Sequence, residues 1–568
     1  MLGVEFWVEF VKLQDIIPGE TTYQRLTHFT DHHINSLVYS TFEVNPLTKN
    51  VKYILLFCFF IAGKYSMTQQ IYFNHRYHLS ESQATYSATS ILEHNGNYYI
   101  SGATQDTITQ DWEWIFFMQL SDSGFVKEVN YIGDNEHDYY TGWPGSSRFL
   151  NDHLYYVGNK VYYFSQSHWA GLMGKLNINL DTVWSREFFG NIPNPYTNRQ
   201  YFNNMFVCDD GDLIITGELY HYSGTPSEVI LLKTDSTGDE KWSMFYGQSG
   251  FNIGYSVIQT SDGGFAIGGY WRNPNSPSSG DPIVIKTDSI GNMEWEVSLG
   301  GPRPDNKAML CRGSDGSIIV GTLYADSTTH PIWGDPYSRI HIVKLDNNGN
   351  TIWDRKYGKS NVTKNYVSNI RCLDDGSIIV CGSSPVDYNV TPGISGWVMK
   401  LNTDGDELWY RSYANLYGGQ SENILNDIIP TSDKGFIACG FVLPEEPDTG
   451  VQEVWVIKLD SMGCDTPGCG TVGVSDHARS IDSKSANLHI FPNPASTQIM
   501  ICSSVLVPRS SVFIYDLFGR LQDEIIITKG QNETKLDISA YPPGVYIAVL
   551  KDDKGLVSRG KFVKSGDR

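Results

Sequence analysis

The chain lacks an apolar run long enough to cross a membrane as a helix. Its only uncharged apolar stretch, Tyr53–Ala62, is ten residues long, whereas a span needs about 20. Charge is also scarce, at 18% of residues, and one-sided: 63 acidic against 42 basic side chains leave −21. A surface of that sign repels nucleic acid and anionic lipid and favours neutral or cationic partners. Nine cysteines occur, but no Cys/His spacing suggests zinc. There is no nucleophile elbow, P-loop, HExxH or Rossmann fingerprint. The sequence therefore implies no metal, no cofactor and no named reaction. What is abundant is glycine, with 54 residues, and aromatics, at 13%, a composition suited to many short strands. A length of 568 residues exceeds the roughly 250–300 that one core supports, so several domains or an array is expected.

The apolar stretch has the form of a secretory signal peptide, with Lys49 and Lys52 before it and Gly63 and Lys64 after it. Residues 1–50 show no caps, period or linker chemistry and read as an upstream extension. Val51, read as a GTG-encoded start, would open a signal peptide at 51–68 and leave Gln69 first, so that the mature chain has no transmembrane helix.

Self-comparison exposes a repeat. Its clearest copy runs Ser261-Asp-Gly-Gly-Phe-Ala-Ile-Gly-Gly269, Ile283-Val-Ile-Lys286, Asp288-Ser-Ile-Gly291 and Trp295. The third-strand position falls at Gln119, Lys175, Lys233, Lys286, Lys344, Lys400 and Lys458, spaced by 53 to 58 residues. Each copy offers four short strands bounded by Gly, Asp, Asn or Pro turns and no helix. The fold class expected is therefore all-β, a seven-bladed β-propeller over 69–465. The last copy stops at Asp460-Ser-Met-Gly463 without its Trp strand. Ile71–His78 resembles Lys241–Tyr246 and is expected to supply that strand and close the ring.

The Asp-Gly and Asp-x-x-Gly turns are nearly uniform, and they lack the alternating oxygen series of a calcium loop. The loops between second and third strands vary and carry aromatics, which makes that face the expected recognition surface. Its candidate ligand-binding residues are Trp169, Tyr222, Trp271, Arg272 and Trp333. Carboxylates such as Asp134, Glu136, Asp138, Asp305, Asp326, Asp335 and Glu422 crowd the same face, but no spacing selects a catalytic pair. The Lys series and Trp184, Trp242, Trp295, Trp353 and Trp409 recur with the fold and read as blade packing and strand-edge charge. Cys464 and Cys469 are expected to close a small disulfide loop. Cys208, Cys311, Cys372, Cys381 and Cys439 read as small buried residues.

After a polar linker at 466–487, a second all-β module covers 488–568. It carries Phe491-Pro-Asn-Pro494, Tyr515-Asp-Leu-Phe-Gly-Arg520, Pro543-Gly-Val-Tyr546 and Lys561-Phe-Val-Lys564. In these motifs it resembles the type A C-terminal sorting domain of the type IX secretion pathway. The resemblance implies a small immunoglobulin-like β-sandwich with Pro492, Asn493, Pro494, Tyr515, Asp516, Gly519, Arg520, Gly544, Tyr546, Lys561 and Lys564 as sorting-motif residues. It also implies the type IX machinery and a sortase-like protease as partners, and a secreted or outer-membrane surface location. The tail Ser565–Arg568 departs from the family, which ends near its last Lys. The expected function is a surface or secreted binding module for carbohydrate or protein. The alternatives are a glycan-active hydrolase or lyase using loop-face carboxylates, and a structural surface-layer role.

Overall fold

The computed structural model describes residues 72–466 and 488–565, apart from 80–82, 107–112, 164–166, 190–197, 222–226, 248–249, 273–279, 302, 304, 330–335, 359, 361–363, 386–392, 417–419, 446–449, 492, 494, 504–509, 517–519, 528–532 and 553–554. The expected extension at 1–50 and signal peptide at 51–68 lie outside the described residues, as does all but the first residue of the linker. Every regular element described is a β-strand, and the chain divides into two bodies at residue 467.

The first body repeats a meander of four antiparallel strands. In the fourth unit these are Phe251–Gln259, Phe265–Arg272, Asp281–Thr287 and Met293–Ser298, paired in that order. The third strand is buried at nearly every position and reads Pro-Ile-Val-Ile, because neighbouring units cover both its faces. The fourth alternates between half-buried and exposed. Among the described residues seven units follow one another, at 83–132, 138–188, 198–246, 251–298, 309–357, 366–413 and 422–459. The last contributes three strands of its own. Its fourth is Phe73–Tyr77, which pairs antiparallel with Glu453–Leu459 from Phe73↔Lys458 to Tyr77↔Val454. The first strands stand side by side in unit order, and that of the last meets that of the first. This is a β-propeller.

One aromatic and one turn glycine fasten each unit to the next. A Cβ on Gly238, Gly291, Gly349, Gly405 or Gly463 would lie 2.7–3.1 Å from the ring of Trp184 or the side chains of Met244, Trp295, Arg355 and Trp409, with Trp242 and Trp353 just behind. These glycines hold φ between +73° and +88°, so both conformation and space demand glycine. The closing strand obeys the same rule, with Phe73 3.1 Å from such a Cβ on Gly124. Tyr77 donates to the Gly124 carbonyl at 2.8 Å, as Tyr246 does to Gly291 and Tyr413 to Gly463, both at 2.6 Å. Unit 1 has Glu128 where the Trp belongs. The turn that faces it, in unit 2, has Leu180 instead of glycine, fully buried at φ +66°. The missing indole is thus matched by a side chain on the opposite surface.

The repeated lysines are not simple edge charges. Lys233, Lys286, Lys344 and Lys458 reach Asp210, Asp262, Asp315 and Asp433 of their own Asp-Gly turns at 2.6–2.9 Å. Units 1 and 2, whose turns are Asn95-Gly96 and Asn151-Asp152 with both residues at positive φ, have no such pair. Gln119 donates to Tyr99 at 2.7 Å, and Lys175 lies 5.1 Å over the Tyr155 ring.

In the second body, Leu488–Phe491, Gln498–Ser503 and Glu533–Asp537 form one sheet. Leu521–Ile527, Ser510–Asp516, Gly544–Asp552 and Gly555–Lys564 form the other. Ile499, Ile501, Val512, Ile514, Leu536, Ala548 and Phe562 fill the core of this sandwich.

Candidate ligand site on the propeller axis

The inner strands share a plan that assigns most polar residues to packing. The residue opening each strand clamps the preceding unit. Asn252 Nδ2 donates to the Ser227 carbonyl at 2.8 Å, Asn365 Nδ2 to that of Ser338 at 3.0 Å, and Asn423 Nδ2 to that of Ile394 at 3.1 Å. Asp138 opens the unit 2 strand and accepts from the Glu113 N–H at 2.8 Å. Asp305 holds the corresponding place in unit 5, accepting from the amides of Gly301 and Ala325. Two of the candidate catalytic carboxylates therefore make structural hydrogen bonds where an inner strand begins, Asp138 to the preceding unit and Asp305 to the linking segment and its own second strand. Burial pushes the Asp305 carboxyl up to about 6. Burial, with the Asp138 carboxylate nearby, pushes Glu113 up to about 7.

Further along, the ladder skips one residue, and a β-bulge leaves Thr89, Asn203, Tyr255, Ser368 or Asn426 unpaired. Unit 2 departs from this plan. There Asp138–Thr141 and Ser147–Leu150 both pair with His153–Tyr163, and Gly142-Trp-Pro-Gly-Ser146 takes the place of the bulge residue and the one after it, Tyr255 and Ser256 in unit 4. The Trp143 amide donates to the Asn203 carbonyl of unit 3 at 2.7 Å. Its ring meets Tyr255 of unit 4 edge-on at 5.4 Å, and Lys307 Nζ of unit 5 stands 3.6 Å from its centroid. Trp143 thus reaches from unit 2 to unit 5 and remains 43% exposed. Lys307 occupies the place of Val367 and Leu425, which are buried in units 6 and 7. Burial pulls its ammonium down to about 7. Among the described residues no carboxylate lies within ion-pair distance of it, and the rings of Trp143 and Tyr255 (5.5 Å) face the charge instead.

The candidate residues on the loop face fall into two groups. Trp169 stands between Tyr140, stacked at 4.9 Å, and Tyr201 at 4.8 Å. Arg272 lies 4.8 Å over the Phe251 ring, which stacks on Tyr220. Trp271 packs against the core between units 3 and 4 with its indole N–H buried. Tyr222 and Trp333 lie outside the described residues. Cys464 is disulfide-bonded, and Cys469 lies outside the described residues. The reading of Cys311 and Cys372 as separate packing residues needs correction. They form a disulfide with 5.6 Å between Cα atoms, because the inner strands of units 5 and 6 run side by side. Self-alignment missed this, since the two cysteines occupy different positions of the repeat. It also missed Trp143, although the extra length of the inner strand is visible once unit 2 is laid on the others.

In the sandwich the motif residues converge on one seam. Asn493 Nδ2 donates to the Lys561 carbonyl at 3.1 Å and its Oδ1 accepts from the Val563 amide at 2.8 Å. Lys564 is buried and pairs with Gly544. Tyr546 is stacked on Phe562 and donates to the Pro542 carbonyl. Asp516 and Arg520 form a 2.7 Å pair, and the rings of Phe513 and Tyr515 stack. Pro492, Pro494 and Gly519 lie outside the described residues. The Ser565 amide, just past the motif, donates to the Ala495 carbonyl at 2.8 Å.

Strand order and motifs together define a β-propeller protein with an export module. Residues 489–565 match the family described as secretion system C-terminal sorting domain. This makes the protein secreted or cell-surface, carried by the type IX pathway whose machinery the domain engages. The chain is also similar to the regulatory protein FlaEY of Caulobacter vibrioides, 28% identical over 227 residues, which are 35% of this chain and 23% of that protein. It therefore spans about a quarter of the length of that relative. Among solved structures it is similar to the β-propeller domain of the Trilobed protease from Pyrococcus furiosus, with TM-score 0.36, 7% identity, and 66% and 94% of the two chains covered. It is also similar to an α-L-arabinofuranosidase from Fusarium graminearum, with TM-score 0.35, 9% identity, and 69% and 98% covered. The strand order, rather than these likenesses, defines the propeller.

Proposed function

We propose that the protein is an exported seven-bladed propeller at 69–465, followed by an immunoglobulin-like sorting domain at 488–568 that a sortase-like protease removes, and that the propeller is a binding module for carbohydrate or protein ligands. One observation carries the binding reading. On a scaffold whose aromatics otherwise pack, unit 2 alone among the described units lengthens its inner strand, and the added residues hold an indole, 43% exposed, across the axis. An exposed Trp braced by Tyr255 and Lys307 is a rigid platform for the apolar face of a sugar or an aromatic side chain. Trp169, with Tyr140 and Tyr201, offers a second platform at the end where the variable loops lie. A glycan array with the secreted mature protein tests this. Trp143→Ala should lower affinity for the best ligand at least about tenfold, the usual scale for a buried aromatic anchor. Unchanged binding would remove Trp143 from the site.

The hydrolase reading has one specific observation in its favour. Glu113, pushed up to about 7, lies beside Asp138, the kind of divergence that separates a general acid from an ionised partner. Turnover of any glycan, lost in Glu113→Gln while binding persists, would favour the enzyme.

A further inference from the structure

Two arginines stand at the same level of the axis, two residues beyond the bulge-associated polar position. Arg148 of unit 2 is paired with Tyr155, and Arg371 of unit 6 with Ile379. At this level the other units carry Leu92, Phe206, Ile258, Cys311 and Ile429. The two charges therefore sit in an otherwise apolar ring, where electrostatic interactions are strong.

Only one of the two is matched. Arg371 Nη2 donates to Asp427 Oδ1 at 2.8 Å, and its Nη1 to Asn369 Oδ1 at 3.1 Å. Asp427 is fully buried and already occupied. Its Oδ1 also accepts from Asn369 Nδ2 at 2.6 Å and the Ile428 amide at 2.8 Å, and its Oδ2 from the Ile91 amide at 3.2 Å. Among the described residues Arg148 makes one hydrogen bond, from Nη1 to the Ser147 carbonyl at 2.8 Å. Among the described residues no carboxylate pairs with it. Its guanidinium lies against Gly145, at φ +85°, where a Cβ would come within 2.9 Å of Nη2. Burial and the facing Arg371, partly offset by Asp427, pull the Arg148 cation down to about 9. A chain with a net charge of −21 thus keeps at its axis a guanidinium that, among the described residues, has no ion-pair partner, an arrangement that is costly without an anion.

We infer that Arg148 and Arg371 form a carboxylate-binding site on the axis, taking the acid group of an acidic saccharide or of a small free organic acid. The fork of Arg148 supplies the donors that a planar carboxylate accepts in pairs. Arg371, held by Asp427, faces it from the far side. The site lies beyond the 142–146 insertion, toward the Asp-Gly turns, and does not depend on what Trp143 binds.

The test is thermal unfolding of the whole mature protein at fixed pH and ionic strength, titrated with acetate, glucuronate, neutral glucose, sulfate and phosphate. The wild type should show a saturable rise in melting temperature with acetate and glucuronate and none with glucose. An apparent affinity at least tenfold higher for glucuronate identifies an acidic saccharide, and equal affinities identify a free acid. Arg148→Met should abolish the response, Arg148→Lys should weaken it at least tenfold, and Trp143→Ala should retain it. If Arg148→Met does not fold, the Arg148→Lys comparison decides. A wild type with no carboxylate response, a response only to sulfate or phosphate, or a full response in the Arg148 variants would overturn the site.

Discussion

Closure of the ring by Phe73–Tyr77 can be tested quantitatively because its contacts are few and separable. Phe73 is 6% exposed and packs on Gly124, Tyr98 and the last unit's core. Truncation to Ala removes a buried ring, which costs about 3–5 kcal/mol. Tyr77→Phe keeps the ring but loses the hydroxyl bond to Gly124, worth about 1 kcal/mol. Deleting 71–78 removes both together with the ladder to Glu453–Leu459. It leaves the buried Val454 and Val456 on an open edge. That loss exceeds about 5 kcal/mol, a large part of the roughly 5–15 kcal/mol that a whole domain has. Urea unfolding followed by tryptophan fluorescence at 25 °C, on oxidised protein, should rank the variants: deletion below Phe73→Ala, below Tyr77→Phe, below wild type. Phe125→Ala, at a position 72% exposed, should stay within about 0.5 kcal/mol. If Phe73→Ala behaved like Phe125→Ala and the deletion variant unfolded at the wild-type midpoint, closure by this strand would be refuted.

Three other outcomes follow from separate contacts. Cys311→Ser with Cys372→Ser should destabilise by about 4 kcal/mol on the chain-entropy relation for a loop this long, read from the urea midpoint, and an unchanged midpoint would contradict it. Asp433→Ala strands the fully buried Lys458 and should cost about 3–5 kcal/mol; adding Lys458→Met should recover most of it, and no recovery would show that the charge is not the cause. Glu113 keeps its proton to about pH 7 when folded but releases it near 4.5 when unfolded, so its contribution weakens as pH rises through that window and is level above it. The stability of Glu113→Gln relative to wild type should therefore be constant below about pH 4.5 and improve up to about pH 7, and parallel pH profiles would contradict the assignment.

The features legible in the sequence are those the fold repeats. The Asp-Gly turn, the third-strand Lys and the Asp-x-x-Gly…Trp series appear in most units because each unit presents the same surfaces to its neighbours. The outer-strand role of 71–78 was legible for the same reason, since Phe73 and Tyr77 sit four apart like Trp242 and Tyr246. The disulfide was not legible, because Cys311 and Cys372 lie 61 residues apart at different repeat positions. Only the side-by-side placement of two inner strands joins them. Neither was the meaning of Asp138 and Asp305. A carboxylate on a loop face reads as chemistry until the backbone amides that Asp138 and Asp305 accept from are seen, at the end of the strand where Asn252, Asn365 and Asn423 clamp other units. Trp169 was legible as an exposed-face aromatic but not its partners Tyr140 and Tyr201, which come from two different units.

Departures from a repeat are of two kinds, and the difference bears on function. Where unit 1 replaces Trp by Glu128, unit 2 replaces the facing turn glycine by Leu180, whose side chain is fully buried. Where units 1 and 2 lose the Asp-Gly turn, Gln119 and Lys175 turn to Tyr99 and Tyr155 instead. Such departures are repaired within the protein and need no ligand to explain them. The insertion bearing Trp143, the Lys307 cation above its ring and the Arg148 guanidinium are different, because the indole stays 43% exposed and, among the described residues, no carboxylate pairs with either cation. Each brings exposed apolar area or desolvated charge to the axis, and at the place of Lys307 units 6 and 7 carry the buried Val367 and Leu425 instead. Unrepaired departures that cluster at one place on an otherwise self-consistent scaffold indicate that their complement is supplied from outside. For that reason the axis, rather than the more numerous carboxylates of the loop face, is where binding should be sought first.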